Sequence, residues 1–188
     1  MIFCRFRPNF LLCLIPLLFA LSAGCATRSA EEAGIREHRE TYYYDAELAF
    51  AIEYPSDWTL ERGSGRPPES CTVRWHSSVP MDNAEPVVRA AVIACALSHW
   101  PGGPEAMQAG FLAEHPALDV AEQKEVVLPG GEATMLLGND ASRAHLAVIL
   151  RTESRGYIVT FSTPSRNFES YRPLFDEMLA SFKPQQER

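Results

Sequence analysis

Five histidines and five cysteines are the side chains of this 188-residue chain best suited to chemistry. Such groups ligate zinc, or act as base and nucleophile, only when spacing or folding brings several together. His38, His76, His99, His115 and His145 are scattered, with no HExxH or CxxC spacing, and each reads as an ordinary surface or satisfied histidine. Gly63-Ser64-Gly65 lacks the strand-turn-helix context that exposes a nucleophilic serine. Gly102-Gly103 runs into Pro104 and lacks the lysine of a phosphate-cradling loop. The carboxylate pairs Glu31-Glu32 and Asp176-Glu177 read as solvated faces. We therefore expect no enzyme, no metal and no cofactor. Only a cleft joining His99 or His145 with a carboxylate and a nucleophile would revive a hydrolase.

The N-terminus explains three of the cysteines. Arg5 and Arg7 precede an apolar run over residues 10–21, and Ser22-Ala23-Gly24-Cys25 follows. A positive head, a short apolar core and small residues at its end mark a secretory signal peptide. The core falls short of the roughly 20 apolar residues of a membrane span, and Pro16 interrupts it. Leu21-Ser22-Ala23-Gly24-Cys25 resembles a bacterial lipobox, with Ser22 where leucine is commonest and Leu21 one place further out. The resemblance implies cleavage after residue 24, a diacylglyceryl thioether on Cys25, and an acyl chain such as palmitate on its new amine. Two or more acyl chains anchor stably, at about 0.8 kcal/mol per buried CH2. Ala26, rather than aspartate, then implies the outer membrane, facing the periplasm. Cys4 and Cys13 leave with the leader, so Cys71 and Cys95 remain. An even count in an oxidising compartment leads us to expect a disulfide between them, on a hairpin turning near residues 80–85, the alternative being two buried free cysteines that pack as small apolar residues.

Charge narrows the partners. The leader carries two of the seventeen basic residues and no acid, so the mature chain holds fifteen basic against 24 acidic side chains. A net acidic chain without a Lys/Arg cluster is a poor ligand for nucleic acid or anionic lipid. Membrane contact should come through the N-terminal lipid alone.

The elements that must position any site follow from periodicity. Residues 25–41 are polar and charge-mixed and read as a lipidated N-terminus and tether, spanning on the order of 20 Å. Residues 42–184 read as one domain, and 185–188 as a polar tail. Leu48, Phe50, Ile52 and Tyr54 alternate as a strand, and Trp58 opens a second short one. The stretch 61–70 is rich in Gly, Pro and Ser and reads as an irregular loop. A helix is expected over 104–115, then strands over 122–128, 133–138, 144–152 and 157–162. Phe168, Tyr171, Phe175, Met178, Leu179 and Phe182 recur at helical steps, with Pro173 inside the pattern. Strands 144–152 and 157–162 are apolar on both alternating sets, so their sheet needs cover on both faces. The expectation is an α+β fold, a largely antiparallel sheet covered by helices in an α/β/α sandwich, with the N-terminal segment helping to cover it.

The strand and turn Phe50-Ala51-Ile52-Glu53-Tyr54-Pro55-Ser56-Asp57-Trp58, then hairpins, then Gly156-Tyr157-Ile158-Val159-Thr160-Phe161, then a final helix closing on Ser181-Phe182, resembles the PsbP-like superfamily. That group includes the extrinsic photosystem II protein PsbP and bacterial lipoproteins of the DcrB kind. The resemblance spans residues 43–183. It implies a sandwich that binds partners or assists assembly without catalysis, and it carries over no metal or partner site residue by residue.

Two aromatic patches are candidates for a partner. Trp100, beside His99 in a Gly/Pro loop, is placed to sit exposed as an anchor. Tyr42, Tyr43 and Tyr44 beside the tether form the other. Both are also compatible with packing the end of the sheet. The expected function is a lipid-anchored, non-enzymatic envelope protein that binds an unknown envelope protein, in assembly or maintenance of a complex. The alternative is a small-ligand carrier with a pocket between the sheet and the 104–115 helix.

Overall fold

The computed structural model describes residues 40–77 and 88–185. The leader, Cys25, the tether as far as residue 39, the turn expected near 80–85 and residues 186–188 lie outside the described residues.

Ten strands and two α-helices follow one another among the described residues: β1 Glu40–Asp45, β2 Phe50–Pro55, β3 Thr59–Arg62, β4 Thr72–His76, β5 Arg89–Ala96, α1 Gly103–Glu114, β6 Asp119–Leu128, β7 Gly131–Asn139, β8 Arg143–Arg151, β9 Arg155–Pro164, α2 Phe168–Ser181 and β10 Lys183–Pro184. Seven strands form one antiparallel sheet in the order β3-β4-β5-β9-β8-β7-β6. A small sheet, β1-β2-β10, stands apart from it. The fold is α+β, with a largely antiparallel sheet covered on one face by α2 and the small sheet and on part of the other by α1.

The double apolar pattern of β8 and β9 has the expected consequence. Leu146, Val148, Leu150, Tyr157, Val159 and Phe161 point to one face, where α2 and the small sheet bury them. Ala147, Ile149 and Ile158 point to the other, under Met107 and Phe111 of α1. The first face is densely aromatic. Phe161 stacks on Phe175 at 4.7 Å, and Phe182 packs between Phe50 and Tyr157 at 5.9 and 5.6 Å. Pro173 lies inside α2, which runs through it. So near the helix start, its missing N–H leaves only the Glu169 carbonyl without its helical donor.

The small sheet holds a segment that the periodicity had not marked as a strand. Three consecutive tyrosines hide an alternation: Tyr43 faces inward and meets Trp75 edge-on at 5.5 Å, while Tyr42 and Tyr44 face out. The turn from β1 to β2 is tied by the buried Asp45, whose carboxylate accepts the N–H groups of Glu47 and Leu48 at 3.0 and 2.9 Å. It also accepts the Tyr43 hydroxyl at 2.9 Å, and burial with this bond pushes the phenol up to about 12. Ala49 ends the turn in the left-handed region, at φ 55°.

Cys71 and Cys95, expected as a disulfide pair, stand as free thiols in the structure, and burial above all pushes the Cys95 thiol up. Register explains this. Cys71 closes the short 3-10 turn Glu69–Cys71 ahead of β4, and the ladder to β5 begins only at Thr72–Ile93, so no cross-strand pair sets the two sulfurs opposite each other.

The Tyr157 hydroxyl, itself buried, donates to the Ala49 carbonyl at 2.8 Å and joins the two sheets. Tyr157→Phe keeps the ring and removes only that donor. We expect a loss of about 1–2 kcal/mol in urea unfolding; an unchanged midpoint would show that the bond contributes nothing.

Candidate functional site

The second face of the large sheet is only partly covered, and its cross-strand rows show why. Thr72, Ile93, Ile158 and Ile149 stand in register across β4, β5, β9 and β8. The next row is Arg74, Ala91, Thr160 and Ala147, and the next His76, Arg89, Ser162 and His145. Polarity therefore rises along the strands while side-chain bulk falls in the middle row. Helix α1 seats Met107 and Phe111 over the apolar end and stops there. Pro104 opens it, His115 caps it by donating its N–H to the Phe111 and Leu112 carbonyls, and Pro116 follows.

Beyond the end of α1 the low floor of Ala91 and Thr160 leaves an open groove of about 640 Å³. Arg74, Arg89, Arg143, His76, His115 and His145 line it, together with Ser162 and the acids Glu61, Glu114 and Asp140. Its cations are held in place. The Arg143 Nη2 donates to the Ser162 carbonyl at 3.0 Å, across the strand from Arg89. Arg74 pairs with Glu69 at 2.8 Å, and His76 with Glu61 at 3.3 Å.

Asp140 organises the inner end. Its carboxylate accepts the N–H groups of Ser142 and Arg143 at 2.8 and 2.7 Å and contacts His145 Nε2 at 2.7 Å. These donors, the Ser142 N–H foremost, hold its carboxyl well below the usual carboxylate range. The ring of His115 lies 4.6 Å from Phe111 and 5.9 Å from His145. Burial first, and the neighbouring His145 second, lower its basicity.

Asp140, His145 and Ser162 thus bring a carboxylate, an imidazole and a hydroxyl into one cleft. Among the described residues two features of an acyl-transfer site are not seen. Ser162 makes no hydrogen bond to His145 among those of the structure, and β9 is an interior strand whose peptide N–H groups belong to its two ladders. No oxyanion donors face the serine from its own strand. Among the described residues no group of three His, Cys, Asp or Glu side chains could hold a metal ion.

The residues singled out in the sequence fall elsewhere. Trp100 is half-buried: it packs with Met107 over Gly156, where a side chain would come within 2.7 Å of the indole and the Met107 sulfur. The missing side chain of Gly156 draws the indole onto the sheet, so Trp100 is not the exposed anchor expected. His99 is exposed and, with Trp100 and Cys95, lines a smaller groove of about 170 Å³. Tyr42 and Tyr44 are 60% and 55% exposed, on the far side of the molecule. Of the polar groove residues, sequence reading had weighed only the histidines. The available signal was Thr72, Arg74 and His76 with Thr160 and Ser162, polar residues alternating within strands otherwise apolar.

The fold is PsbP-like. Cyanobacterial PsbP (CyanoP) from Synechocystis matches with a TM-score of 0.57 and 16% identity, over 80% of this chain and 95% of that one. The Ran-binding protein Mog1p of Saccharomyces cerevisiae matches at 0.49 and 10%, over 78% and 96%. LpqN of Mycobacterium tuberculosis, involved in cell envelope biogenesis, matches at 0.48 and 15%, over 84% and 97%. At these identities the likeness is one of fold. No family model and no curated protein sequence matches the chain. Among the described residues no helix is long and apolar enough to cross a membrane.

The lowered basicity of His115 gives the fold an acid sensitivity with a defined sign. Folding disfavours the charged ring, so this stability is fully present above the ordinary histidine value of about 6.5 and is lost as pH falls below it. Asp140 acts in the same direction, but only below about pH 4. Between pH 8 and 5 the urea midpoint of His115→Gln should fall less than that of the unaltered protein. Parallel profiles would show that His115 is not the sensor.

Proposed function

We propose that the protein is a lipid-anchored, non-enzymatic component of the cell envelope whose domain binds a protein partner in the groove beside α1. The observation that carries this reading is the sheet face that α1 leaves open. Side chains that a fully covered sheet would bury are there fixed by backbone ladders and presented to solvent. Rigid presentation of polar groups on strands suits recognition, because little side-chain freedom is left to lose on binding.

The leader and lipobox support anchoring through Cys25, and Ala26 supports the outer membrane with the domain facing the periplasm. The tether then gives the domain reach from the bilayer on the order of 20 Å. Tyr42 and Tyr44, exposed on the first strand after the tether, are the alternative contact surface, on the side of the molecule away from the groove. The acidic mature chain disfavours nucleic acid.

A small-ligand carrier is the second reading. It is favoured by the position of the groove, between sheet and α1, and by a volume inside the roughly 300–1,000 Å³ of small-molecule sites.

The anchoring half is tested with Cys25→Ser. That variant should leave the membrane fraction, and the unaltered protein should carry lipid mass on its Cys25 peptide. Sedimentation of the variant with vesicles would overturn the anchor. Cross-linking in detergent extracts should recover one stoichiometric protein, and Ala91→Trp, which fills the groove floor, should reduce its recovery at least about tenfold. Recovery unaffected by Ala91→Trp would move the partner off this face. A small molecule retained in native mass spectra and displaced by Ala91→Trp would favour the carrier.

A further inference from the structure

What the ladder does not do for Cys71 and Cys95, the turn ahead of it does. Residues 66–72 are tied into a knot. The Cys71 N–H donates to the Pro68 carbonyl at 3.0 Å, and the Thr72 hydroxyl donates to the same oxygen at 2.8 Å. The Ser70 N–H reaches the Arg66 carbonyl at 3.3 Å, and the Gly63 N–H bonds to the Thr72 carbonyl at 2.8 Å. A side chain at Gly63 would strike the Glu69 carbonyl, so only glycine lets the chain pass this close to the turn. The knot leans over β5, where Pro67, Pro68 and Cys95 wall one cleft of about 170 Å³ with His99 and Trp100. The Cys71 thiol is thereby the hydrogen-bonding neighbour of the Cys95 thiol. Two thiols side by side need only lose two hydrogens to become a disulfide.

The two sulfurs differ in what can reach them. Cys95 is buried, and it stands across from Gly156 in an interior ladder. Burial first, and the Cys71 thiol second, push the Cys95 thiol up, while Arg155 on β9 pulls the other way. A buried thiol held in its neutral form is a poor first nucleophile, because the thiolate is the attacking species. Cys71 is only half-buried, at the end of its turn. An external disulfide therefore meets Cys71 first, and Cys95 stands behind it as the resolving sulfur.

We propose that Cys71 and Cys95 form an exchange-active dithiol, closed to a disulfide by small disulfides and reopened by small thiols. In the first step the Cys71 thiolate attacks one sulfur of R–S–S–R and expels RS⁻, which takes up a proton. A mixed disulfide is left on Cys71. In the second step the Cys95 sulfur attacks that of Cys71, the bond to RS breaks, and the Cys95 proton leaves with the second RSH. The protein dithiol is oxidised by two electrons and one small disulfide is reduced to two thiols. The exported compartment implied by the leader is where such oxidants persist. Closure pins the turn to β5. Glu69 lies on that turn and holds Arg74, a groove residue, at 2.8 Å. The effect on the groove rests on the partner-binding reading above; the exchange itself does not.

The test incubates the full-length protein in detergent with mixtures of reduced and oxidised glutathione. Samples are quenched with an alkylating reagent, and the cysteines are mapped by peptide mass spectrometry. Excess oxidised glutathione should link Cys71 to Cys95, and a return to reduced glutathione should release both thiols. Cys95→Ala keeps a small apolar residue in the core and should trap glutathione on Cys71. In Cys71→Ser, Cys95 should react at least about tenfold more slowly than Cys71 does in Cys95→Ala. Alkylation of the unaltered reduced protein, Cys71 before Cys95, reads the same order without any variant. No link under excess oxidised glutathione, a link that reduced glutathione cannot open, or glutathione captured first on Cys95 would overturn the proposal. On closure, trypsin cleavage after Arg66 should slow at least about fivefold, because the turn opens less often. An unchanged rate would overturn the pinning of the turn. Exchange that persists where no partner is recovered would count against the groove reading and leave the dithiol standing.

Discussion

At the centre of the molecule the Tyr157 hydroxyl meets the carbonyl of Ala49, a residue held in the left-handed region. The same carbonyl accepts the Gln185 N–H at 2.7 Å. One oxygen thereby gathers the β1–β2 turn, an interior strand of the large sheet and the chain beyond α2. A buried peptide carbonyl left without a donor costs about 1–3 kcal/mol, so the turn is stable where these donors are. Phe50 and Phe182 close around the join, and through them the small sheet and α2 become one layer. That layer covers most of its face of the large sheet, leaving a groove of about 390 Å³ beside α2, and the larger uncovered ground falls to the opposite face.

What was legible in the sequence was whatever periodicity alone can carry. The alternation of Leu48, Phe50 and Ile52, the helical recurrence from Phe168 to Phe182 and the two-sided apolarity of β8 and β9 each report a local environment. From them the sandwich follows, because a sheet greasy on both faces must be covered twice. β1 escaped because identical side chains carry no alternation; Tyr42, Tyr43 and Tyr44 differ only in which side of the strand they occupy. Trp100 escaped because its partner is a glycine, whose contribution is space.

The groove was illegible for another reason. His76, Arg89 and Ser162 are unremarkable one by one, and they form a row only through register across β4, β5 and β9. Register depends on hairpin turns and on the fit of buried faces, not on the composition of any single strand. The cysteines teach the same lesson. Two thiols in adjacent strand-like segments looked ready to bond, but Cys71 lies in the turn before the ladder that pairs β4 with β5, and the two are free thiols in the structure. Position across a sheet is a property of the fold, and chemistry that depends on it has to be read there.

The length of α1 then decides how much of the second face becomes a surface. A longer helix would have to continue past His115 over His145 and the arginine row, and Pro116 disfavours that continuation. The charged row in turn would not tolerate burial, because guanidinium groups taken from water without full pairing cost several kcal/mol each. Helix length and strand polarity are therefore matched: the apolar rows end where α1 ends. The open groove is the consequence of that match, because neither the helix nor the sheet beneath it could extend its cover further without burying charge.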